Sequence, residues 1–377
     1  MPRISPFAGL RFDRSRVGSL ERVTAPPYDV ISRIEHERLL DGAPFSVIRL
    51  DLGDDPDRSH HARYTEAAAL VETWRRDGVL VPTDRPVFVA YEMRFRLHGN
   101  ARRVRGVVAA VELEDWGGGI LPHEQVMDGP VQDRLEHLRE VRMDLSCIEC
   151  VYLGPDDAIG AWLDDATRRE PDGSVTDADG VEHRVWIRPG EAALAERLSA
   201  HDLMIADGHH RYTTALRYRD EMRARHGTGP WDASMMLLID AALEEPPVLP
   251  FHRIQREGVA VTDGVRVRDL EEVLESLEDR KLLFGIATLE DGAIVHRVAE
   301  LTGEPPTVCR LHEAVLNVDA EALRYTPDAV ASYFLPATDA ATIRSVVASG
   351  ERLPQKSTFF WPKPRTGLIL RPHDAAA

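Results

Sequence analysis

Leu203-Met204-Ile205-Ala206-Asp207-Gly208-His209-His210-Arg211-Tyr212 compresses a strand, a tight turn and the start of a helix into one short stretch. The first four residues read as a short apolar strand. From about Tyr212 to Arg225, apolar residues recur at Tyr212, Ala215, Leu216 and Met222 with charges between them, and Gly227 stands where a helix C-cap belongs. A strand that turns directly into a helix aims backbone N–H groups and the positive end of the helix dipole at whatever lies over the turn, and Gly208 removes the side chain that would block close approach. Arg211, His209 and His210 add side-chain donors to the first turn, while Asp207 has the chemistry to hold a metal ion or to take a proton from a hydroxyl. The same residue types also fit a plainer turn, in which Asp207 caps the helix and the histidines satisfy local hydrogen bonds. A ligand is favoured because clustering cationic donors at the positive end of a helix is costly unless an anion binds there.

Working outward, His183 to Ile187 reads as a strand and Glu191 to Ala200 as a helix. Upstream, a helix is expected over Thr65 to Asp77, and Val87 to Phe95 and Arg103 to Leu113 read as a strand pair turned at His98-Gly99-Asn100. Downstream, Met235 to Ile239 reads as a buried strand, Leu270 to Leu277 as a helix, and the helical spacing of Ile343, Val346 and Val347 stops at Gly350. Strands and helices alternate without a regular βαβ rhythm and the clearest strand pair is antiparallel, so the expected class is α+β, with a doubly wound sheet second. The acidic stretch from Gly154 to Gly180, punctuated by Gly and Pro, places the expected boundary between an N-terminal region, 1–153, and a region 154–377.

The chain of 377 residues carries a formal net charge of −17, which repels nucleic acid at long range; no basic stripe appears, and the Arg-rich patches Arg94 to Arg105 and Arg217 to Arg225 read as solvated faces. Small anions remain admissible, because a pocket can be locally positive on an acidic protein. Neither a signal-peptide run nor an apolar stretch of membrane-spanning length is present, so the expectation is a soluble, cytoplasmic protein with no membrane partner. Cys147 and Cys150 have the spacing of a redox pair or half a zinc site, but the second half is missing and Cys309 is distant, so they read as small buried side chains.

Three further segments set ionisable residues beside a stiffening proline: Leu121-Pro122-His123-Glu124, Leu249-Pro250-Phe251-His252-Arg253, and Pro354-Gln355-Lys356-Ser357-Thr358 followed by Pro362-Lys363-Pro364. Each could converge on the Asp207 turn, and each also fits an ordinary polar loop. Gly350 to Ser357 resembles a P-loop only in part, since Gln355 replaces its second glycine and Pro354 stiffens it. His123-Glu124 lacks the second histidine of a zincin, and neither G-x-S-x-G nor G-x-G-x-x-G occurs.

Ala25-Pro26-Pro27-Tyr28-Asp29-Val30-Ile31, His123-Glu124, Ile205 to Tyr212, Leu249 to Arg253 and Gln355 to Thr358 resemble, in the same order, the motifs of domain-of-unknown-function family 1015. The chain departs from them at Gln125-Val126, where the family favours Arg-Thr, and from Glu257 to Thr307 it is hard to align. The Asp-Gly-His-His-Arg turn in turn resembles the phosphate-binding turn of ParB-like proteins that phosphorylate free serine. That resemblance implies a ParB/sulfiredoxin-like core around the turn, with an additional mixed α/β N-terminal region. It also implies a kinase-like phosphotransferase acting on small molecules, with L-serine as acceptor, a nucleotide or pyrophosphate as donor, and Mg²⁺ bridging phosphates to a carboxylate such as Asp207. In that reading Asp207, Glu124, His209 and His210 are catalytic, with Asp207 or Glu124 activating the acceptor. Gly208 and Arg211 hold the phosphoryl group, and His123, His252, Arg253, Lys356, Ser357 and Thr358 hold the donor. The rival readings are a ParB-like nucleotide-binding regulator without turnover, and a DNA-associated nuclease or partition factor, which the charge disfavours.

Overall fold

The hairpin expected around His98 forms the middle of the largest sheet. The computed structural model describes residues 1–55, 57–278, 282–303, 306–315, 318–320 and 329–374. The chain divides into two units: residues 1–121, 126–246 and 362–377 form the first, and residues 122–125 and 247–361 the second.

Nine strands build the main sheet of the first unit: β1 (Ile4–Ser5), β2 (Val87–Leu97), β3 (Asn100–Glu112), β4 (Ile120–Leu121), β5 (Ile148–Tyr152), β6 (Gly173–Thr176), β7 (Glu182–Pro189), β8 (Leu203–Asp207) and β9 (Ala233–Asp240). Their order is β4-β8-β5-β9-β3-β2-β7-β6, with β1 paired to β3. The sheet is mixed: β4–β8 and β5–β9 are parallel, the remaining ladders antiparallel. Leu97 pairs with Asn100, so His98 and Gly99 make a two-residue loop, both at positive φ (48° and 77°), as a tight hairpin requires.

The helices of this unit are α1 (His60–Arg76), α2 (Asp128–Val141), α3 (Asp157–Thr167), α4 (Ala192–Leu198) and α5 (His209–His226), besides shorter turns. Ile159 and Leu163 of α3, Leu194 and Leu198 of α4, and Tyr212 and Leu216 of α5 pack with Ile148, Cys150, Ile205 and Met236 of the sheet. A second apolar cluster gathers Trp74 of α1 and Val141 of α2 with Phe12, Ile48, Leu50 and Leu370. The helix expected from Tyr212 begins earlier, at His209, because Gly208 takes a left-handed conformation (φ 102°) and switches strand to helix in one residue.

The second unit holds a six-stranded sheet of β10 (Arg253–Gln255), β11 (Val265–Val267), β12 (Leu283–Glu290), β13 (Ala293–Glu300), β14 (Val318–Ala320) and β15 (Ala331–Phe334), ordered β11-β13-β12-β15-β10-β14 and antiparallel throughout. Val273 and Leu277 of α6 (Leu270–Leu277) pack with Phe334, and Val308 and Leu311 of α7 (Thr307–Ala314) with Ile286 and Tyr333. The helix α8 (Ala340–Ser349) ends at Gly350 in a left-handed conformation, as its spacing indicated.

The break expected at 153/154 falls inside the first unit, where β5 on one side of it pairs with β8 and β9 on the other. The acidic, Gly-rich composition that suggested a linker belongs to caps and turns: Asp156 caps α3 through the N–H groups of Ala158 and Ile159, and Asp177 closes the turn between β6 and β7 by accepting from Val181 N–H. No helix among the described residues is long and apolar enough to cross a membrane.

Gly106 lies mid-strand in β3, where an added Cβ would stand 2.5 Å from the carbonyl oxygen of Leu238 on β9. Backbone cannot yield as a side-chain tip can. Gly106→Ala is therefore expected to destabilise the protein by about 1–3 kcal/mol, read as a lower midpoint in urea with an unchanged slope.

Candidate functional site

The first unit builds its site on Asp207. This residue ends β8 one position before the N-cap of α5, which is Gly208 and has no side chain to cap with. Its carboxylate turns instead to two cations: Oδ1 lies 2.6 Å from Lys363 Nζ and Oδ2 2.5 Å from an Arg211 Nη. The capping role that its residue type allowed is therefore not the one it plays.

Each cation has a second set of partners. Lys363 Nζ also donates to Asp29 Oδ2 at 3.0 Å, and the other Nη of Arg211 donates to Ser146 Oγ at 2.9 Å and to the Cys147 carbonyl. Lys363, Arg211 and Asp207 are nearly buried, whereas Asp29 is 37 % exposed. Burial alone would raise the Asp207 carboxyl, but Lys363 and Arg211 more than offset it and hold the group down at about 2. Lys363 is raised above its ordinary value because Asp207 and Asp29 outweigh the opposing effect of burial. Asp207 thus has both oxygens committed to cations, and its expected role as a metal ligand would require Lys363 or Arg211 to leave. Among the described residues no three His, Cys, Asp or Glu side chains group as a metal site.

Gly208 allows the tight turn, and a Cβ on it would stand 3.0–3.1 Å from the Arg211 guanidinium. His209 is buried, with its carbonyl accepting from Thr213 Oγ1. His210 Nε2 accepts from Met127 N–H at 3.0 Å, so that nitrogen does not serve as the anion donor expected of it. Arg211 also lines a cavity of about 60 Å³ with Tyr28, Asp51, Arg134 and Ser146, room for a few waters. Arg134 is fully engaged there, bonded to Asp51 (2.7 Å) and Tyr64 (2.8 Å) and lying 4.4 Å over the Tyr28 ring.

One neighbour stands out by what it lacks. Glu149 pairs with Asp207 across the β5–β8 ladder, is fully buried, and among the described residues has no hydrogen-bond partner on either oxygen. Burial and then Asp207 push its carboxyl up to about 8, against the pull of Lys363 and Arg211. Cys147 and Cys150 flank it; both are buried with raised thiols, Cys147 to about 12, and sit as the small core residues their spacing left them to be.

The segments expected to gather at this turn do so only in part. Tyr28-Asp29 and Lys363 meet Asp207 in the first unit; His123-Glu124, His252-Arg253 and Lys356-Ser357-Thr358 meet one another in the second. There Glu124 accepts from the backbone N–H groups of Lys356 (2.8 Å), Ser357 (2.9 Å) and Thr358 (2.8 Å) and from Thr358 Oγ1 (2.6 Å), which also bonds His123 Nε2 at 2.6 Å. Lys356 adopts positive φ (50°) to close this nest of N–H groups. Arg253 is fully buried and donates to His312 Nε2 and to the carbonyls of His252, Lys356 and Gln355, so its guanidinium is already spent on the fold. Burial lowers His252 and His312 to about 4, and both are neutral near pH 7.

Sequence reasoning assigned no role to Tyr28, Asp29, Ser146, Glu149 or Lys363. Tyr28, Asp29 and Lys363 lay in proline-stiffened segments it had singled out; Ser146 and Glu149 carried no signal beyond the cysteine spacing around them.

A family profile described as protein of unknown function, DUF1015, matches residues 4–328. No curated protein matches the chain. Among solved structures, it is similar to a free serine kinase in complex with AMP, at 11 % identity over 66 % of this chain and 89 % of that one, with a TM-score of 0.35. It is also similar to a conserved hypothetical protein from Pyrococcus furiosus (12 %, 66 % and 92 %, TM-score 0.34). SbnI from Staphylococcus aureus, with a C-terminal truncation, is a third such structure (10 %, 69 % and 87 %, TM-score 0.33).

The ion triad makes a signed prediction. A carboxyl depressed in the folded state stabilises the protein above its unfolded value, near 3.9, and that contribution is lost as pH falls toward 2. Lys363→Met leaves Asp207 with one buried cation, so it should cost about 3–5 kcal/mol at pH 7. It should also move the onset of acid unfolding to higher pH, as followed by circular dichroism from pH 7 to 2. An acid-unfolding curve superposable on wild type would mean that Lys363 does not hold the Asp207 charge.

Proposed function

The chain belongs to the DUF1015 family, and we propose that it is a small-molecule phosphotransferase, with free L-serine the favoured acceptor and a nucleotide or pyrophosphate the donor. The observation that carries this reading is the pair of buried cations, Lys363 and Arg211, assembled on one carboxylate at the N-terminus of α5. A buried ion triad is costly to build for stability alone, and phosphoryl transfer asks a protein mainly to position reactants and to stabilise charge. The likeness of the Asp-Gly-His-His-Arg turn to those of free-serine phosphorylating proteins supports the choice of acceptor.

In this reading Arg211 and the first-turn N–H groups of Gly208, His209 and His210 take the phosphoryl oxygens, and Lys363 balances the charge that develops on them. Asp207 fixes both cations in place. As the bond from the serine oxygen to phosphorus forms and the bridging bond to the donor breaks, the hydroxyl proton passes to a carboxylate. Asp29, part-exposed and already beside Lys363, is the better placed candidate than Asp207, whose oxygens are engaged. Mg²⁺ binds through one or two carboxylates and substrate phosphates and would enter with the donor.

Incubation with L-serine, Mg²⁺ and ATP, ADP or pyrophosphate is expected to yield phosphoserine, seen by phosphorus NMR. The absence of product from every donor, with no donor binding, would sink the phosphotransferase reading. Asp29→Asn should slow turnover by about 10²-fold or more with donor affinity kept. Arg211→Lys should retain only part of the activity, because the planar fork that bridges Asp207 and Ser146 is lost.

A further inference from the structure

Glu149 is a buried carboxyl beside the Asp207 triad that nothing in the proposed reaction uses. Its flanking residues, Ile148 and Cys150, face the core that α3, α4 and α5 cover, which turns Glu149 to the opposite face of β5. On one side it pairs with Asp207 of β8, on the other with Leu237 of β9. The ionisable groups around it are Asp207 from β8, Arg211 from α5, Lys363 from the C-terminal segment, and Cys147 and Cys150 from its own stretch of chain, of which Cys150 lies on the opposite face; β9 offers apolar Leu237. A fully buried carboxyl with no hydrogen-bond partner is poorly tolerated as an anion, and a glutamine or a methionine would fill the space without that liability.

Resting on the anion-binding role given above to Lys363 and Arg211, we propose that Glu149 is a positioning residue that gates their charge. As the neutral acid it leaves both cations to Asp207 and the incoming anion; once ionised it competes for Lys363 and Arg211 and weakens the anion's hold. The raised carboxyl, near 8 through burial and the charge of Asp207, sets this change just above neutrality. The other groups around it do not titrate there: Asp207 is held down at about 2, Lys363 and Arg211 are raised, and the thiols are pushed up by burial.

Sulfate tests the idea, since it keeps its two charges throughout the range and presents phosphate-like oxygens. Its affinity for the full chain, measured by calorimetry, should fall about tenfold between pH 7 and 9, as expected if only the protonated form binds and pH 9 lies one unit above the carboxyl. Glu149→Gln should hold its pH 7 affinity up to pH 9. The same decline in the variant as in wild type overturns the role of Glu149 while leaving the anion site intact. No sulfate binding to wild type at any pH overturns the anion site, and with it the gate. Should the variant fail to fold, carbon NMR of wild type labelled at glutamate carboxyls decides: a resonance titrating near pH 8, and lower in Asp207→Asn, is expected. Its absence overturns the proposal.

Discussion

The Asp207 carboxylate is the constraint around which the first unit is organised. An anion taken out of water must be compensated by cations or hydrogen bonds, and the strand end that carries Asp207 is buried by the packing of β8 between β4 and β5. The compensation comes from Arg211, one helical turn on, and from Lys363, far along the chain. Lys363 is delivered by a segment that is itself pinned: Thr366 bridges Ala25, the Arg365 guanidinium bonds Thr24, and Arg365 N–H donates to Tyr91 Oη. That hydroxyl lies 3.0 Å from His183, which in turn lies 3.1 Å from Asp177, so a buried polar chain fixes the register of the two proline-rich segments. Tyr28 and Asp29 reach the site because Ala25 is held there.

What could be read in the sequence was what depends on neighbouring residues. The hairpin at His98-Gly99, the strand before Asp207, the helix after it and the stop at Gly350 all rest on local periodicity or on a conformation that few residues accept. The partner of Asp207 was not legible, because an ion pair between residues 207 and 363 leaves no spacing to detect. Glu149 was hidden for a different reason: in a strand buried on both faces the alternation that would mark its side vanishes, and the cysteines on either side drew the reading. The division into units was missed because four residues, 122–125, join the second unit from within the first, while an acidic stretch that looked like a linker supplies caps.

The second unit shows how far residue type can mislead about role. Glu124 and Arg253 carry the side chains of an active site, yet one is saturated by a nest of backbone N–H groups and the other by carbonyls and a neutral histidine. A charged group bound by main-chain atoms of its own unit has been used to set a loop's shape. Lys356, forced into a left-handed conformation by that arrangement, is the member of the cluster whose side chain is left part-exposed.

The interleaving of the two units also bears on biogenesis. A ribosome delivers Asp144 and Asp207 well before Arg371 and Lys363, with the whole of residues 247–361 in between. Until those cations emerge, Asp144 lacks Arg371 and Asp207 has Arg211 alone, so the strand carrying Asp207 has only part of the counter-charge that its burial calls for. Domains usually fold in the order they are made. Here the earlier unit receives its last segment, with Lys363 and Arg371, only after the whole of residues 247–361 has been made.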